Sequence, residues 1–341
     1  MPQGVGGEPV RLAGPRCAAY RRGVDGALSG LRFSLVGPGR VGVSLARWAL
    51  AGGASLHRVA RRSGGSTDLK PDPALPAAEP LAGLTTAGDD LLLLAVPDNA
   101  LSAVAAELAA RPQARVVLHT SGSLSAEILA PLRASVSGVS GVSGVAGTAG
   151  SAVGSLHPLK AFPRPLPDPA EARGVLFALD GDPPARALAR RLATAWEGLP
   201  AEVPAAARTL YHLAASLAAG GVVTLLALAD ELAHRLGLPP EVGRGYLELA
   251  RGAIAAALAT PSPESAARAL TGPVARGDAA TFARQLTALA DLAPEKLPLV
   301  LHLALETLRQ QARLAPLGEA QRELKEELEE RLRRGASQSG G

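Results

Sequence analysis

Short apolar runs alternate with amphipathic stretches over the first two thirds of the chain. The runs at 31–36, 55–60, 90–96 and 114–119 are short and nearly continuous, as is typical of parallel strands buried on both faces. Helical periodicity follows the first and third runs, at 41–51 and 98–110. Strands and helices alternating at this spacing predict an α/β fold with a doubly wound parallel sheet. Further strands are predicted at 155–162, 174–179 and 202–203.

After about residue 204 the pattern predicts helices only. Apolar or amphipathic segments at 205–236, 240–260, 263–270, 278–291 and 298–314 favour packed helices, and the charged stretch 318–334 favours a solvated one. We therefore expect a mobile extension at 1–29, a sheet domain at 30–204, an all-α C-terminal domain at 205–316, and a charged helix with a disordered tail at 317–341. Repeated Ser-Gly-Val triplets predict a flexible insertion at 134–155.

The first strand runs directly into a G-x-G-x-x-G turn. Gly37 permits a tight turn, Gly39 lets a pyrophosphate approach the backbone, and Gly42 lets the next helix lie close to the sheet. The helix would direct its N-terminal N–H groups at the phosphates. The turn has a strand before it, a helix after it and a second strand at the spacing expected of a β-α-β unit. This arrangement predicts a Rossmann dinucleotide site rather than an ordinary glycine-rich turn. Its predicted contacts are Gly37, Pro38, Gly39, Arg40, Val41 and Gly42.

The end of the second strand indicates which dinucleotide binds. NAD sites commonly place Asp or Glu here to bind the ribose 2′-hydroxyl, whereas this chain has Arg61, Arg62 and Ser63. Guanidinium groups suit a 2′-phosphate because they donate several hydrogen bonds in one plane. NADP is therefore the predicted cofactor. In the alternative interpretation, both arginines are merely solvated loop charges.

Two other strand ends would lie on the same edge of the sheet. Val96 ends the third buried run and Pro97 follows it, whereas His119 ends the fourth run and Ser121 lies two residues beyond it. Ligands of doubly wound sheets bind at the carboxyl ends of the strands, so these residues are predicted cofactor contacts. Capping of the next helix is the alternative role for His119 and Ser121.

Composition limits the remaining classes. The chain has 341 residues, a formal charge of +4, and arginines that are not interleaved with its few aromatic residues, so nucleic-acid binding is not predicted. Cys17 is the only cysteine, which excludes an intramolecular disulfide and a Cys-based zinc cluster; no metal site is predicted. The N-terminus has no signal-peptide core. The apolar run 213–229 is interpreted as a buried helix rather than a membrane span. We expect a cytoplasmic protein that forms a homodimer through this helix.

Three further local motifs carry a family resemblance. They are Ser-Leu-His-Pro-Leu-Lys-Ala-Phe at 155–162, Tyr-His-Leu-Ala-Ala at 211–215, and Leu-Thr-Gly-Pro-Val-Ala-Arg-Gly-Asp at 270–278. Together with the glycine turn they resemble Rossmann-like reductases with a C-terminal domain of unknown function, in the 6-phosphogluconate dehydrogenase C-terminal-like superfamily. Relatives include deazaflavin-dependent NADP reductases, pyrroline-5-carboxylate reductase and ketopantoate reductase. The resemblance covers about residues 31–315 and implies the fold and the cofactor class.

Candidate catalytic residues lie in these motifs. The position of His212 resembles the family's catalytic one, so His212 could act as a general acid; the alternative is an ordinary histidine on the helix surface or in the core. Ser216 lies on the same helix face and is a predicted substrate contact. His157 and Lys160 are the other catalytic candidates, although a purely structural His-Pro turn is the alternative. Related dehydrogenases carry Lys-x-x-x-Asn here, whereas this sequence has Gly220 near the position of the Asn.

The third motif offers substrate contacts. Arg276 could bind a carboxylate through two parallel hydrogen bonds, and Thr271 precedes it in the same loop, while Asp278 suits the N-cap of the following helix. These residues predict an NADP-dependent oxidoreductase that reduces a small keto or imino acid, with ketopantoate as one example. The alternative is a regulatory protein that binds NADP without turnover.

Overall fold

The computed structural model describes residues 26–62, 71–133, 150–259 and 264–338. Contacts within the chain define two compact units, of which the first ends at Ala219 and the second begins at Gly220. The first unit therefore extends beyond the expected domain boundary at residue 204 and includes the start of the helical region.

The first unit is built on one sheet, which has eight strands within the described residues. They are β1 (Arg32–Val36), β2 (Ser55–Arg61), β3 (Glu79–Pro80), β4 (Leu91–Leu94), β5 (Val116–His119), β6 (Ala152–Pro158), β7 (Leu176–Gly181) and β8 (Leu199–Glu202). Their order is β3-β2-β1-β4-β5-β6-β7-β8. Only β6 and β7 pair antiparallel, so the predicted doubly wound sheet is confirmed but is mostly, not wholly, parallel.

Helices cover both faces of this sheet. Helices α1 (Arg40–Ala51) and α3 (Pro183–Ala195) pack on one face, and α2 (Asp98–Ala109) packs on the other. Trp48 of α1 is fully buried and donates a hydrogen bond from its indole nitrogen to the Leu166 carbonyl, 2.7 Å away. The continuous leucine run of β4 is buried on both faces, which explains why its sequence shows no alternation.

Two of the predicted segment boundaries change. Leu28 is fully buried, and its N–H donates to the Gly52 carbonyl at 2.8 Å, so the sheet unit begins before the end of the expected extension. The predicted insertion 134–155 overlaps β6, where Val153 and Ser155 are fully buried, because hydrogen bonding to β5 orders small residues that have no strong pattern of their own. Residues 1–25 and 134–149 lie outside the described part of the chain.

The helical region begins with a single helical turn at Ala205–Ala207 and α4 (Arg208–Ser216), followed by a π-helical turn at Leu217–Gly221. The expectation that 213–229 is buried is wrong: Leu213, Leu217 and Val223 are 53%, 63% and 64% exposed. By length and composition alone, one helical segment among the described residues, Ala205–Arg235, could cross a membrane, since an 18-residue window within it has a mean hydropathy of 1.8. A single segment of this kind is weak evidence for a span.

The second unit contains only helices within its described residues. They are α5 (Val222–Arg235), α6 (Glu241–Ala259), α7 (Ser265–Arg268), α8 (Pro273–Arg276), α9 (Ala279–Leu292), α10 (Leu297–Ala312) and α11 (Glu319–Gln338). Phe282, Leu308 and Leu328 are central to its small core. The charged helix α11 is thus not solvated all round, since Leu324 and Leu328 lie four residues apart and bury one face. It continues to Gln338, into the segment expected to be disordered.

Candidate functional site

The glycine turn after β1 has the geometry that the sequence predicts. Gly37 has φ +90°, and a Cβ there would lie 2.5 Å from the Ala95 carbonyl oxygen. A Cβ on Gly42 would overlap the carbonyl oxygen of Gly37, whereas one on Gly39 would point into open space. The first and third glycines therefore permit close packing, and the second leaves room beside the backbone.

The N-terminus of α1 borders that open space. Gly39 is its N-cap residue, and no side chain in the described part of the chain caps the helix. Backbone N–H groups in the first turn of a helix have no intrahelical acceptor and attract anions. The open space at Gly39 and the uncapped helix end together fit a dinucleotide pyrophosphate, held by the 37–42 backbone. Pro38 and Val41 are half-buried here, and Arg40 is exposed at the first position of α1.

The turn is tied directly to the end of β2. The Gly37 N–H donates to the Ala60 carbonyl at 2.9 Å, which places Arg61 beside the glycine turn. Arg61 and Arg62 are both exposed, as a 2′-phosphate contact requires. Ser63, the third predicted contact, lies outside the described residues.

The end of β4 continues this edge of the sheet. The side chain of Val96 reaches within 2.9 Å of where a Gly37 Cβ would lie, and Pro97 is exposed as the N-cap residue of α2. Both predicted contacts therefore follow the strand adjacent to β1.

His119 and Ser121 hold the loop after β5. The backbone N–H of Ser121 donates to His119 Nδ1 at 3.1 Å, and His119 Nε2 lies 3.2 Å from the Ser125 carbonyl oxygen. His119 is fully buried, and its burial, reinforced by the Arg208 charge, lowers its pKa to about 4. The Ser121 hydroxyl accepts from the N–H groups of Ser123 and Leu124 at 3.2 and 3.0 Å. Both side chains are therefore engaged with the backbone of the loop 121–125, before the helical segment that begins at Ala126.

A pocket of about 570 Å³ opens at the carboxyl end of β6, within the first unit. Its walls are mostly apolar, with the polar side chains His157, Lys160, Tyr211, His212 and Ser216 among them. The structure thus brings together all three predicted catalytic residues and one predicted substrate contact. From β1 to β6 the edge spans three strand spacings, or about 14 Å.

Three aromatic rings meet on one side of this pocket. His157 Nδ1 lies 2.9 Å from the Tyr211 hydroxyl oxygen. The His157 ring is nearly perpendicular to the rings of Tyr211 and His212, at centroid distances of 5.6 and 5.7 Å. Gly122 lies against both histidines: a Cβ there would be 2.5 Å from His212 Nδ1 and 2.8 Å from His157 Nε2. Only glycine fits this position without displacing a ring.

The surroundings control the protonation of this group. Burial lowers the pKa of His157 to about 4, and the nearby His212 and Arg208 act in the same direction. Burial also raises the pKa of the Tyr211 phenol. At neutral pH, His157 is therefore a neutral imidazole and Tyr211 a neutral phenol. His212 Nδ1 is buried, and no hydrogen-bond partner for it lies among the residues that the structure describes.

Arg208 anchors the helix that carries Tyr211 and His212. It is fully buried and donates to the carbonyl oxygens of Ser121 and Ala178 at 3.2 and 3.3 Å. Tyr211 and His212 follow three and four residues later, and so lie on the same helix face. Sequence reasoning missed Arg208 because a lone arginine at a helix start resembles a solvated charge; its i, i+3, i+4 spacing to the Tyr-His pair was the available signal.

The other pocket candidates have partners of their own. Lys160 Nζ lies 3.1 Å from Glu171 Oε2, so its charge is already paired. The Ser216 hydroxyl donates to the His212 carbonyl at 3.0 Å. Thr271 and Arg276 belong to the second unit, where both are exposed. Asp278 caps α9, as predicted, by accepting from the Thr281 N–H at 3.0 Å.

Comparison with protein families gives the domain composition. Residues 23–143 match the family model of a Rossmann-like domain, and residues 175–307 match that of a domain of unknown function, DUF2520. The chain thus contains a Rossmann-like domain followed by a DUF2520 domain, the composition that the resemblance implied. No curated protein matches the chain.

Solved structures share the fold at low identity. TM1727 from Thermotoga maritima is 20% identical, over 82% of this chain and 98% of that one, with a TM-score of 0.57. BF3122 from Bacteroides fragilis, described as a candidate NADP oxidoreductase, is 19% identical over the same shares, with a TM-score of 0.60. Pyrroline carboxylate reductase from Plasmodium falciparum, solved with NADP bound, is 11% identical over 87% of this chain and 98% of that one, with a TM-score of 0.50.

Proposed function

We propose that this protein is an NADP-dependent oxidoreductase that reduces the carbonyl or imine group of a small keto or imino acid. The observation that carries the proposal is the placement of two features on one sheet edge. The glycine turn with Arg61 lies at one end of the edge. The pocket with the ionisable side chains His157, Tyr211 and His212 lies about 14 Å further along the same edge. A dinucleotide lying along this edge would have its reactive end near the pocket.

Each part of the site has a role in this proposal. The 37–42 backbone and the N-terminus of α1 hold the pyrophosphate, and Arg61 with Arg62 binds the 2′-phosphate. The bound nicotinamide supplies hydride. His212 protonates the heteroatom that becomes the alcohol or amine, since reduction of a polar double bond needs an acid near that atom. The apolar walls exclude water and accommodate the substrate side chain.

The alternative is a regulatory protein that binds NADP without turnover. One observation favours it. The Lys160 ammonium already forms an ion pair with Glu171 at 3.1 Å, so it would bind a substrate carboxylate less strongly than an unpaired lysine. Oxidation of NADPH with a panel of 2-oxo acids and cyclic imines separates the two functions. NADPH binding without oxidation of any panel member supports the regulatory protein.

Cofactor choice is tested by titration calorimetry. NADPH should bind far more tightly than NADH. Replacing Arg61 or Arg62 by alanine should weaken NADPH binding roughly 10- to 150-fold, because a hydrogen bond to a charged partner contributes about 1.5–3 kcal/mol. Arg115→Ala is the matched control, since Arg115 is exposed before β5 at the opposite edge of the sheet. Equal affinity of the unmodified protein for both cofactors would refute the NADP assignment.

We also propose a cytoplasmic homodimer. Helix α6 has no buried residue, and Leu249 on it is 72% exposed. Contiguous exposed apolar surface favours a protein interface. A second copy of the chain, covering α6 and the adjoining α5, would remove this surface from water.

A further inference from the structure

The Tyr211 hydroxyl is a polar group of the pocket to which the proposed reaction has so far given no role. Tyr211 is half-buried on α4 and lines the pocket beside His157. Its hydroxyl oxygen is 2.9 Å from His157 Nδ1, which is within normal hydrogen-bond distance. The anchoring of α4 through Arg208 fixes one ring, and the end of β6 fixes the other.

The charge states of the pair limit what it can do. Because the pKa of His157 is lowered to about 4, the imidazole is neutral at pH 7 and carries one proton on either ring nitrogen. When that proton is on Nδ1, the imidazole donates to the phenol oxygen. The phenol O–H is then free to donate to an acceptor in the pocket.

We infer that Tyr211 is a further catalytic residue, whose O–H donates a hydrogen bond to the carbonyl oxygen or imine nitrogen of the substrate, and that His157 is the positioning residue that orients it. This inference rests on the proposed function. Hydride, which a bound nicotinamide would supply to the carbonyl carbon, would place the C=O π electron pair on oxygen, and His212 donates the proton that this oxygen takes up. Tyr211 keeps its own proton throughout and stabilises the developing negative charge.

His212, Tyr211 and His157 have different roles in this reaction. His212 changes its protonation state in each turnover, whereas Tyr211 does not. His157 acts through Tyr211 and need not touch the substrate. Removing His157 from a protein that already lacks the phenol should therefore cost nothing further in turnover.

The experiment compares Tyr211→Phe, His157→Gln and the double variant with the unmodified protein. Tyr246→Phe is the matched control, because Tyr246 is a half-buried tyrosine of the second unit. Tyr211→Phe keeps the ring that packs against His157, and an unchanged melting curve checks that it folds. We expect kcat to fall by roughly 10²-fold, the usual effect of losing one oxyanion donor. NADPH affinity should stay constant, and the double variant should match Tyr211→Phe.

A binding readout keeps the inference testable even without turnover. Calorimetry measures binding of 3-methyl-2-oxobutanoate to the complex with NADP⁺, in which hydride transfer cannot occur. Tyr211→Phe should weaken this binding at least about tenfold, as expected for a lost hydrogen bond to a carbonyl. An unmodified protein that binds the oxo acid but never oxidises NADPH contradicts the proposed reaction and leaves the role of Tyr211 in binding intact. Equal binding by the unmodified protein and Tyr211→Phe, or no binding by either, overturns the inference.

Discussion

Gly122 is the position where one added methyl group should disturb the proposed site most. Gly122 is buried in the loop after β5, and its φ is not in the left-handed region, so the backbone itself tolerates alanine. The surrounding side chains leave no room for a Cβ atom. A Cβ would lie 2.5 Å from His212 Nδ1 and 2.8 Å from His157 Nε2, where ordinary contact begins near 3.4 Å. Gly122→Ala must therefore move the His212 ring by about 0.9 Å or shift the loop by a similar amount.

Two magnitudes follow from this displacement. A misplacement of about 1 Å in a catalytic group can reduce turnover by about 10²-fold. Overpacking typically costs roughly 1–3 kcal/mol, which corresponds to a fall in Tm of about 2–12 °C for a unit of this size. Cofactor affinity should change little, because Gly122 lies away from the glycine turn.

The assay combines thermal unfolding, NADPH titration and steady-state kinetics. Gly83→Ala is the matched control, since a Cβ there meets no atom within 4 Å. We expect the control to behave as the unmodified protein in all three measurements. If Gly122→Ala keeps both its Tm and its kcat, the rings are not packed against Gly122 as described, and the reasoning fails.

Two further predictions concern pH and assembly. The folded-state pKa of His119, about 4, lies below the usual histidine value of 6.5 because the ring is buried, so the unfolded state takes up the proton first as pH falls. The contribution of His119 to stability should therefore decrease between pH 6.5 and 4 by about 3 kcal/mol. Thermal unfolding across this pH range should show that Tm depends less on pH for His119→Asn than for the unmodified protein. The control His234→Gln should keep the pH dependence of the unmodified protein, because the His234 ring is exposed. Sedimentation should give twice the 34.5 kDa chain mass, and Leu249→Glu should give monomers; a monomeric unmodified protein would refute the dimer.

The cofactor end of the site could be predicted from the sequence because its signals are local. Gly37 has φ +90°, and a Cβ on Gly42 would overlap the Gly37 carbonyl oxygen, so both glycine requirements arise within one strand–turn–helix unit. Arg61 is the last residue of its strand. Short-range steric and hydrogen-bonding rules therefore sufficed to place them. The same holds for Asp278, whose capping bond spans only three residues.

The pocket end depended on tertiary structure. Tyr211 and His157 are 54 residues apart in sequence, and no local pattern indicates that a phenol and an imidazole will meet. Arg208 resembled a solvated charge until its carbonyl partners on the β5 loop and β7 were known. The apolar segment 213–229 was expected to be buried because its residues are hydrophobic. Composition does not show how many neighbouring elements the fold packs against a segment, so the expectation failed. Sequence thus determined the strands, the turns and the cofactor class, whereas the position of each long-range partner was decided only by the packing of the sheet against α4.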